Sequence, residues 1–331
     1  MPKPTMDDVA RRAGVSRALV SLALRGSPKV SPRSRDAVRR AVAELGYRPN
    51  LNARNLASNR TRTLGVIVND LHNPFFPVVT DGIKSAVDAL DYRLLVTSAF
   101  LDNENEAAAL ETFIDLGLDG IIMTGVRLDQ PSIERGARST PLVVVSRPIA
   151  SDALDTVNND DVAGARLATQ HLIDLGHRHI GHVSGGDAAG APLRRAGYVG
   201  AMRDAGLEPV VAVGAFTESS GVRAGEELFD SFEECTAVFA GNDLSALGVL
   251  DVIDGRGLAV PDDVSLVGYD NTFVAALRHV GLTSVDQHGE RLGRIAVSLL
   301  IERLEHGRTE ARHEMISPTL VRRETTAAPK M

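Results

Sequence analysis

Between residues 63 and 331, short apolar runs alternate with amphipathic stretches of helical period. That alternation restricts the fold more than any other feature of the chain. The runs fall at 64–68, 94–96, 120–123 and 142–145, then at 179–183, 210–213, 237–239 and 264–267. Between them apolar residues recur at i, i+3 and i+4, as in Val79, Ile83, Val87 and Leu90, or Ala165, Ala168, Leu172 and Leu175. A strand that is apolar throughout is buried on both faces, which calls for a parallel sheet covered by helices on each side. Two sets of about four strands predict two doubly wound α/β subdomains. Ligands bind such sheets beyond the carboxyl ends of the strands, so a cleft between the two is the expected ligand site.

The first 62 residues differ in kind. They carry 14 Lys and Arg against 4 Asp and Glu, a charge of +10, whereas the remainder sums to −17. A small basic head on an acidic body is the electrostatic footprint of nucleic-acid binding, although a solvated basic face would give the same count. Local motifs decide between them. Thr5 with Asp8 three residues on forms a capping-box signal, and Val9, Ala10 and Ala13 give the helix a buried stripe. Gly14 breaks it, and Ser16 caps a second helix over 17–24. Helix, tight glycine turn and helix make a helix-turn-helix, whose second helix enters the DNA major groove. Ser31-Pro32 starts a third helix running to about 45, with Ala37, Val38, Ala41, Val42 and Leu45 inward and Gly46 as its stop. Asn50 opens a further segment, 51–57, that is helix-compatible but too short to be stable alone.

At 331 residues, 44% hydrophobic and 24% charged, the chain has the size of about two globular domains. No apolar run approaches the roughly 18 residues of a membrane helix. The N-terminus has neither an apolar stretch nor a small-residue cleavage site, so no secretory signal is expected. Cys235 is the single cysteine, which agrees with a reducing cytoplasm. Neither GxGxxG nor GxxxxGK[ST] occurs, so no nucleotide cofactor is indicated. His177, His179 and His182 are spaced H-x-H-x2-H, but alternate strand residues face opposite ways and three convergent metal ligands are not expected. Ser184-Gly185-Gly186 lacks the preceding glycine of a nucleophile elbow, and we expect no catalytic site.

The residues after the strand ends are the candidate ligand groups. Asn73-Pro74-Phe75-Phe76 follows the first strand and offers a stacking surface in a chain with 4% aromatics, with at least one ring expected in the core. Ser146 and Arg147 follow the fourth strand, Phe216 the sixth, Asn242 the seventh and Asp270 the eighth. Arg194 opens a helix toward the same region and Gln287 lies on a crossover. Arg, Asn, Asp and Gln supply the donors and acceptors that hydroxyls require.

Along nearly its whole length the sequence resembles the LacI/GalR transcription regulators. The motifs, in order, are DVARRAGVS, VSPRSRDAV, LGYRPNLNARNLA, NPFF, HLIDLGHRHIGHVSGG, FAGNDLSALGVL and VPDDVSLVGYDN. The resemblance implies a helix-turn-helix domain over 1–48, a hinge over 49–62 and an effector and dimerisation domain over 63–331. The last would divide into an N-subdomain (63–157 and about 288–316) and a C-subdomain (158–287 and about 317–327). It implies that Arg17 and Ala18 meet base edges, where Arg suits guanine. Ser16, Ser21, Arg25 and Ser31 would contact the backbone. Asn50 and Ala53 would lie in the DNA-binding hinge, and Leu56 would wedge into the minor groove. Leu19 and Leu22 depart from the family's usual Thr and Arg; Leu22 either meets a thymine methyl or packs inward. The effector domain is similar to periplasmic sugar-binding proteins, which implies that Phe75, Phe76 and Phe216 stack on a sugar. Arg147, Arg194, Asn242, Asp270 and Gln287 would hydrogen-bond it. Ser146 replaces an Asp common in sugar-responsive members. The implied protein is a cytoplasmic, homodimeric repressor of pseudo-palindromic operators; the tail after Arg323 lacks leucine heptads for a larger assembly. The alternatives are a regulator answering a nucleobase or another non-sugar ligand, and a transport-type sugar-binding protein.

Overall fold

The capping box at Thr5 is formed. The Thr5 hydroxyl accepts the Asp8 N–H at 3.3 Å and the Asp8 carboxylate accepts the Thr5 N–H at 2.9 Å. Helix α1 (Met6–Ala13) then ends at Gly14, which is left-handed at φ 66°. Helix α2 (Arg17–Leu24) follows, and α3 (Pro32–Leu45) starts from the Ser31 cap and stops at Gly46. Val9, Ala10, Val20, Val38, Ala41 and Tyr47 bury the centre of this three-helix head. The computed structural model describes residues 4–24, 26–47, 60–100 and 102–330. They belong to two separate units, 1–61 and 62–331.

The second unit holds two parallel-type sheets. In chain order its elements begin with β1 (Thr63–Val68), α4 (Phe75–Asp88), β2 (Arg93–Ser98), α5 (Asn103–Asp115), β3 (Gly120–Thr124), α6 (Gln130–Ser139), β4 (Leu142–Val145) and β5 (Asp155–Asn159). There follow α7 (Asp161–Asp174), β6 (Ile180–Ser184), α8 (Ala191–Asp204), β7 (Val210–Val213), α9 (Glu218–Ser231), β8 (Ala237–Ala240), α10 (Asp243–Gly255), β9 (Ser265–Asp270) and β10 (Thr283–Asp286). The chain closes with α11 (Gly289–His306), β11 (His313–Ile316) and β12 (Thr319–Val321). The first sheet has the order β11-β5-β4-β3-β1-β2 and is wholly parallel. The second has the order β12-β10-β9-β8-β6-β7, with β12 alone antiparallel.

Each set of four expected strands is therefore six. The additional strands β5, β10, β11 and β12 carry DTVNN, TSVD, HEMI and TLV, which are too polar or too short to register as apolar runs. They lie where the chain passes from one sheet to the other, after β5, after β10 and after β11. The expected doubly wound α/β architecture is otherwise present. Among the described residues no helix is long and apolar enough to cross a membrane.

Helices α4 and α11 meet backbone to backbone. A Cβ on Gly82 would stand 2.1 Å from the Glu290 carbonyl oxygen, and one on Gly293 would stand 2.2 Å from that of Val79. Neither neighbour is a side chain that can swing away. Gly293→Ala is expected to cost about 1–3 kcal/mol by forcing the helices apart. A lowered midpoint of denaturant unfolding with unchanged slope checks this, and an unchanged midpoint contradicts it.

Candidate functional site

On the head, the Ser16 hydroxyl accepts the Leu19 N–H at 3.2 Å and so starts α2. Val20 is the buried residue of that helix, which leaves Arg17, Ala18 and Leu22 on the outer face. Ser16 and Ser31 are exposed as well, and Ser21 is half-buried. Leu22 points out of the core, which favours the outward of its two readings. Arg17 stands 3.6 Å from Asp7 with both side chains mostly exposed. Such an exposed pair holds weakly. Arg25, Asn50, Ala53 and Leu56, with the whole 51–57 segment, lie outside the described residues.

The second unit has a cavity of about 310 Å³ walled by residues of both sheets, at the small end of the ~300–1,000 Å³ usual for ligand pockets. On the first wall, the Asn73 side chain accepts the Phe75 N–H at 3.0 Å and starts α4. Phe75 and Phe76 both line the cavity and both are buried, edge to face at 5.4 Å. Asn69 donates through Nδ2 to the Gly125 carbonyl at 2.8 Å, which fixes the amide and leaves Oδ1 without a partner among the described residues. Ser146 lines the same wall with its backbone at φ 60° and its buried hydroxyl also unpartnered. Buried polar groups rarely stay unpaired, and both oxygens are sealed from solvent, so they lie within the wall rather than at its surface.

Arg194 builds the opposite wall from the start of α8. It is 5% exposed, donates through Nε to Asp161 at 2.8 Å, and through Nη1 to the Gly241 carbonyl at 2.7 Å and to Asp270 at 3.4 Å. Its guanidinium covers the Tyr269 ring at 3.8 Å and the Phe216 ring at 5.0 Å. Burial works against its charge, but Asp161 and Asp270 more than offset this and hold it charged. Asp270 sits at φ 107°, a strained setting for a residue with a side chain. Burial, against the pull of Arg194, drives its carboxyl up to about 8.

Three expected ligand residues leave the cavity wall. Arg147 turns its guanidinium to the Val126 carbonyl at 3.2 Å and to that of Leu128. Asn242 is fully buried and caps α10, its Oδ1 accepting the Ser245 N–H at 2.9 Å. Gln287 is also fully buried and donates to Asp270 from behind. All three support groups that do face the cavity. Phe216, by contrast, lies on Gly185, where a Cβ would be 2.1 Å from the ring. Asn69, Arg127, Asp161 and Asp187 escaped the sequence reading. Asn69 directly follows β1 and was within reach of the strand-end rule; Asp161 begins the first crossing, which the apolar pattern did not reveal.

The three histidines go to three neighbourhoods. His177 bonds Thr236, Ser265 and the Ala327 carbonyl, His179 faces Glu234, and His182 stacks on Phe239 at 4.7 Å.

Residues 5–50 match the family described as bacterial regulatory proteins, lacI family, and residues 169–326 match the periplasmic binding protein-like domain. Catabolite control protein A of Priestia megaterium is 36% identical over 304 residues, 89% of this chain and 91% of that protein. The solved transcriptional regulator CelR–cellobiose complex is 33% identical with a TM-score of 0.74, covering 97% of this chain and 99% of that one. The Lac repressor dimer bound to operator and the anti-inducer ONPF is 27% identical with a TM-score of 0.88, covering 99% and 100%.

Proposed function

The chain belongs to the lacI family of bacterial regulatory proteins, and on that premise we propose that it is a cytoplasmic transcriptional repressor whose hold on operator DNA is set by a sugar in the cavity. One observation carries the reading: a single chain joins a helix-turn-helix with Arg17 and Ala18 outermost to a cavity walled by two parallel-type sheets and floored by Arg194 and Asp270. Arg194 Nη2 and Asp270 Oδ2 make no bond among the described residues. A charged donor beside an acceptor suits neighbouring hydroxyls. The cellobiose of the similar CelR complex supports a sugar in particular.

In the proposed mechanism, residues 63–157 with 288–316 form one lobe, and 158–287 with 317–327 the other. A sugar touching both lobes favours one angle between them. Paired hinges over 49–62 then fold together or part, and only when paired do they set Leu56 in the minor groove. This needs a dimer. Edge strand β2 exposes Leu95 and Val96, and Phe273 and Leu277 are exposed on the other lobe, as surfaces awaiting a second copy would be. We assign the chain no catalytic step.

Operator selection with the full-length protein, repeated with sugars and nucleobases, tests the reading. Log K is expected to fall with log salt by about 0.9 per phosphate neutralised, and a sugar is expected to shift K. A slope near zero overturns DNA binding by the +10 head. A response confined to nucleobases overturns the sugar.

A further inference from the structure

The cavity differs between floor and rim. Its floor and first wall already offer one sugar ring the free sides of Arg194 and Asp270 and aromatic faces. At the rim stand two exposed residues of opposite charge, Arg127 after β3 and Asp187 after β6, one from each sheet. Neither side chain has a hydrogen-bond or ion-pair partner among the described residues. We propose that this rim is a second subsite, in which Arg127 and Asp187 engage the hydroxyls of a second ring, so that the chain selects an uncharged disaccharide over a monosaccharide. The proposal rests on the sugar reading above.

The mounting of Arg127 supports a dedicated role. Glu106 is fully buried on α5, and its carboxylate accepts the Arg127 N–H at 2.8 Å and the Leu128 N–H at 2.6 Å. From the other side Arg147 donates to the carbonyls of Val126 and Leu128. Burying a carboxylate is unfavourable, and burial raises the Glu106 pKa. Here Glu106 serves to fix the backbone of the loop between β3 and α6. Gly125 of that loop packs against the Phe76 ring, leaving Arg127 as the group that reaches the cavity with free donors. A side chain presented on so rigid a loop loses little freedom on binding.

The charges select the ligand's chemistry. A phosphate or carboxylate at the rim would gain Arg127 but meet Asp187, with Asp70 also on the wall. A neutral ring uses both residues, since a guanidinium donates to hydroxyl oxygens and a carboxylate accepts hydroxyl protons.

Calorimetry on the full-length protein with glucose, cellobiose, maltose, sucrose and glucose 6-phosphate tests this. At least one disaccharide is expected to bind tenfold or more tighter than glucose. Arg127→Ala and Asp187→Ala should each remove about tenfold from that disaccharide and change glucose by less than twofold. Both residues are exposed, and melting curves matching the parent's would confirm intact folding. Glucose bound as tightly as every disaccharide, an equal loss for one ring and two, or tightest binding of glucose 6-phosphate would each overturn the subsite while leaving a sugar effector standing. Binding of none of these sugars would instead overturn the sugar reading, and the subsite with it.

Discussion

Arg194→Met is expected to lower effector affinity by about thirtyfold or more and to cost about 3–5 kcal/mol of stability. The binding loss follows from removing a buried charged partner, typically ~2–5 kcal/mol. The stability loss follows from what remains. Asp161 and Asp270 lie 2.8 and 3.4 Å from the guanidinium, and all three side chains are nearly sealed from water. Without the guanidinium, two buried carboxyl groups are left facing each other with no cation between them. Denaturant melts at pH 7, with titrations of whichever sugar shifts operator binding, measure both effects. Parent-like stability together with parent-like affinity would show that Arg194 neither holds the wall nor meets the ligand.

That Arg194 and Asp270 line the cavity while Arg147 and Asn242 stand behind its wall has one physical answer. A parallel sheet fixes where its strand ends lie, so any residue just past one is near the cleft. It does not fix where the side chain points. Ser146 takes φ 60°, and the Arg147 guanidinium goes to the 126–128 carbonyls. Asn242 is spent on the N-terminus of its own helix, a role Asn fills as readily as ligand binding. The supporting carboxylates were invisible for another reason: Glu106 and Asp161 sit in polar helix starts that read as solvated until packing buries them. The strands show the same limit. Continuous apolar runs betrayed the sheet centres, whereas β5, reading DTVNN, is buried at every position although it is largely polar, with Asp155 and Thr156 paired and the Asn158 and Asn159 side-chain oxygens unpartnered among the described residues. The head was the most legible part, since caps and turn glycines are local chemistry.

That polar strand carries the second large effect, in Asp155. Its carboxylate is fully buried and accepts from Arg303 Nε and Nη2 at 2.7 and 2.8 Å, from Arg308 Nη1 and Nη2 at 3.0 and 2.8 Å, and from the Arg312 N–H at 2.8 Å. One carboxylate thus ties β5 to the end of α11 and to the segment entering β11. Burial alone would raise its pKa, but the two guanidiniums and the Arg312 amide hold it down to about 2. Asp155→Asn is expected to cost about 3–5 kcal/mol at pH 7, because a largely buried Arg303 loses its anion and Arg308 keeps only Glu302. Replacing all three with apolar residues, as in Asp155→Leu with Arg303→Met and Arg308→Met, is expected to recover much of that, since no uncompensated charge then remains. The parent adds a direct check. Its carboxylate is less basic folded than unfolded, so its contribution of about 2–3 kcal/mol is complete above pH ~4 and fades as pH falls toward 2. Unfolding curves of the parent and Asp155→Asn should accordingly lie far apart at pH 7 and draw together as pH falls toward 2, where the parent carboxyl is about half protonated. Curves that keep a constant separation across that range would mean that Asp155 stabilises the sheet by shape rather than by charge.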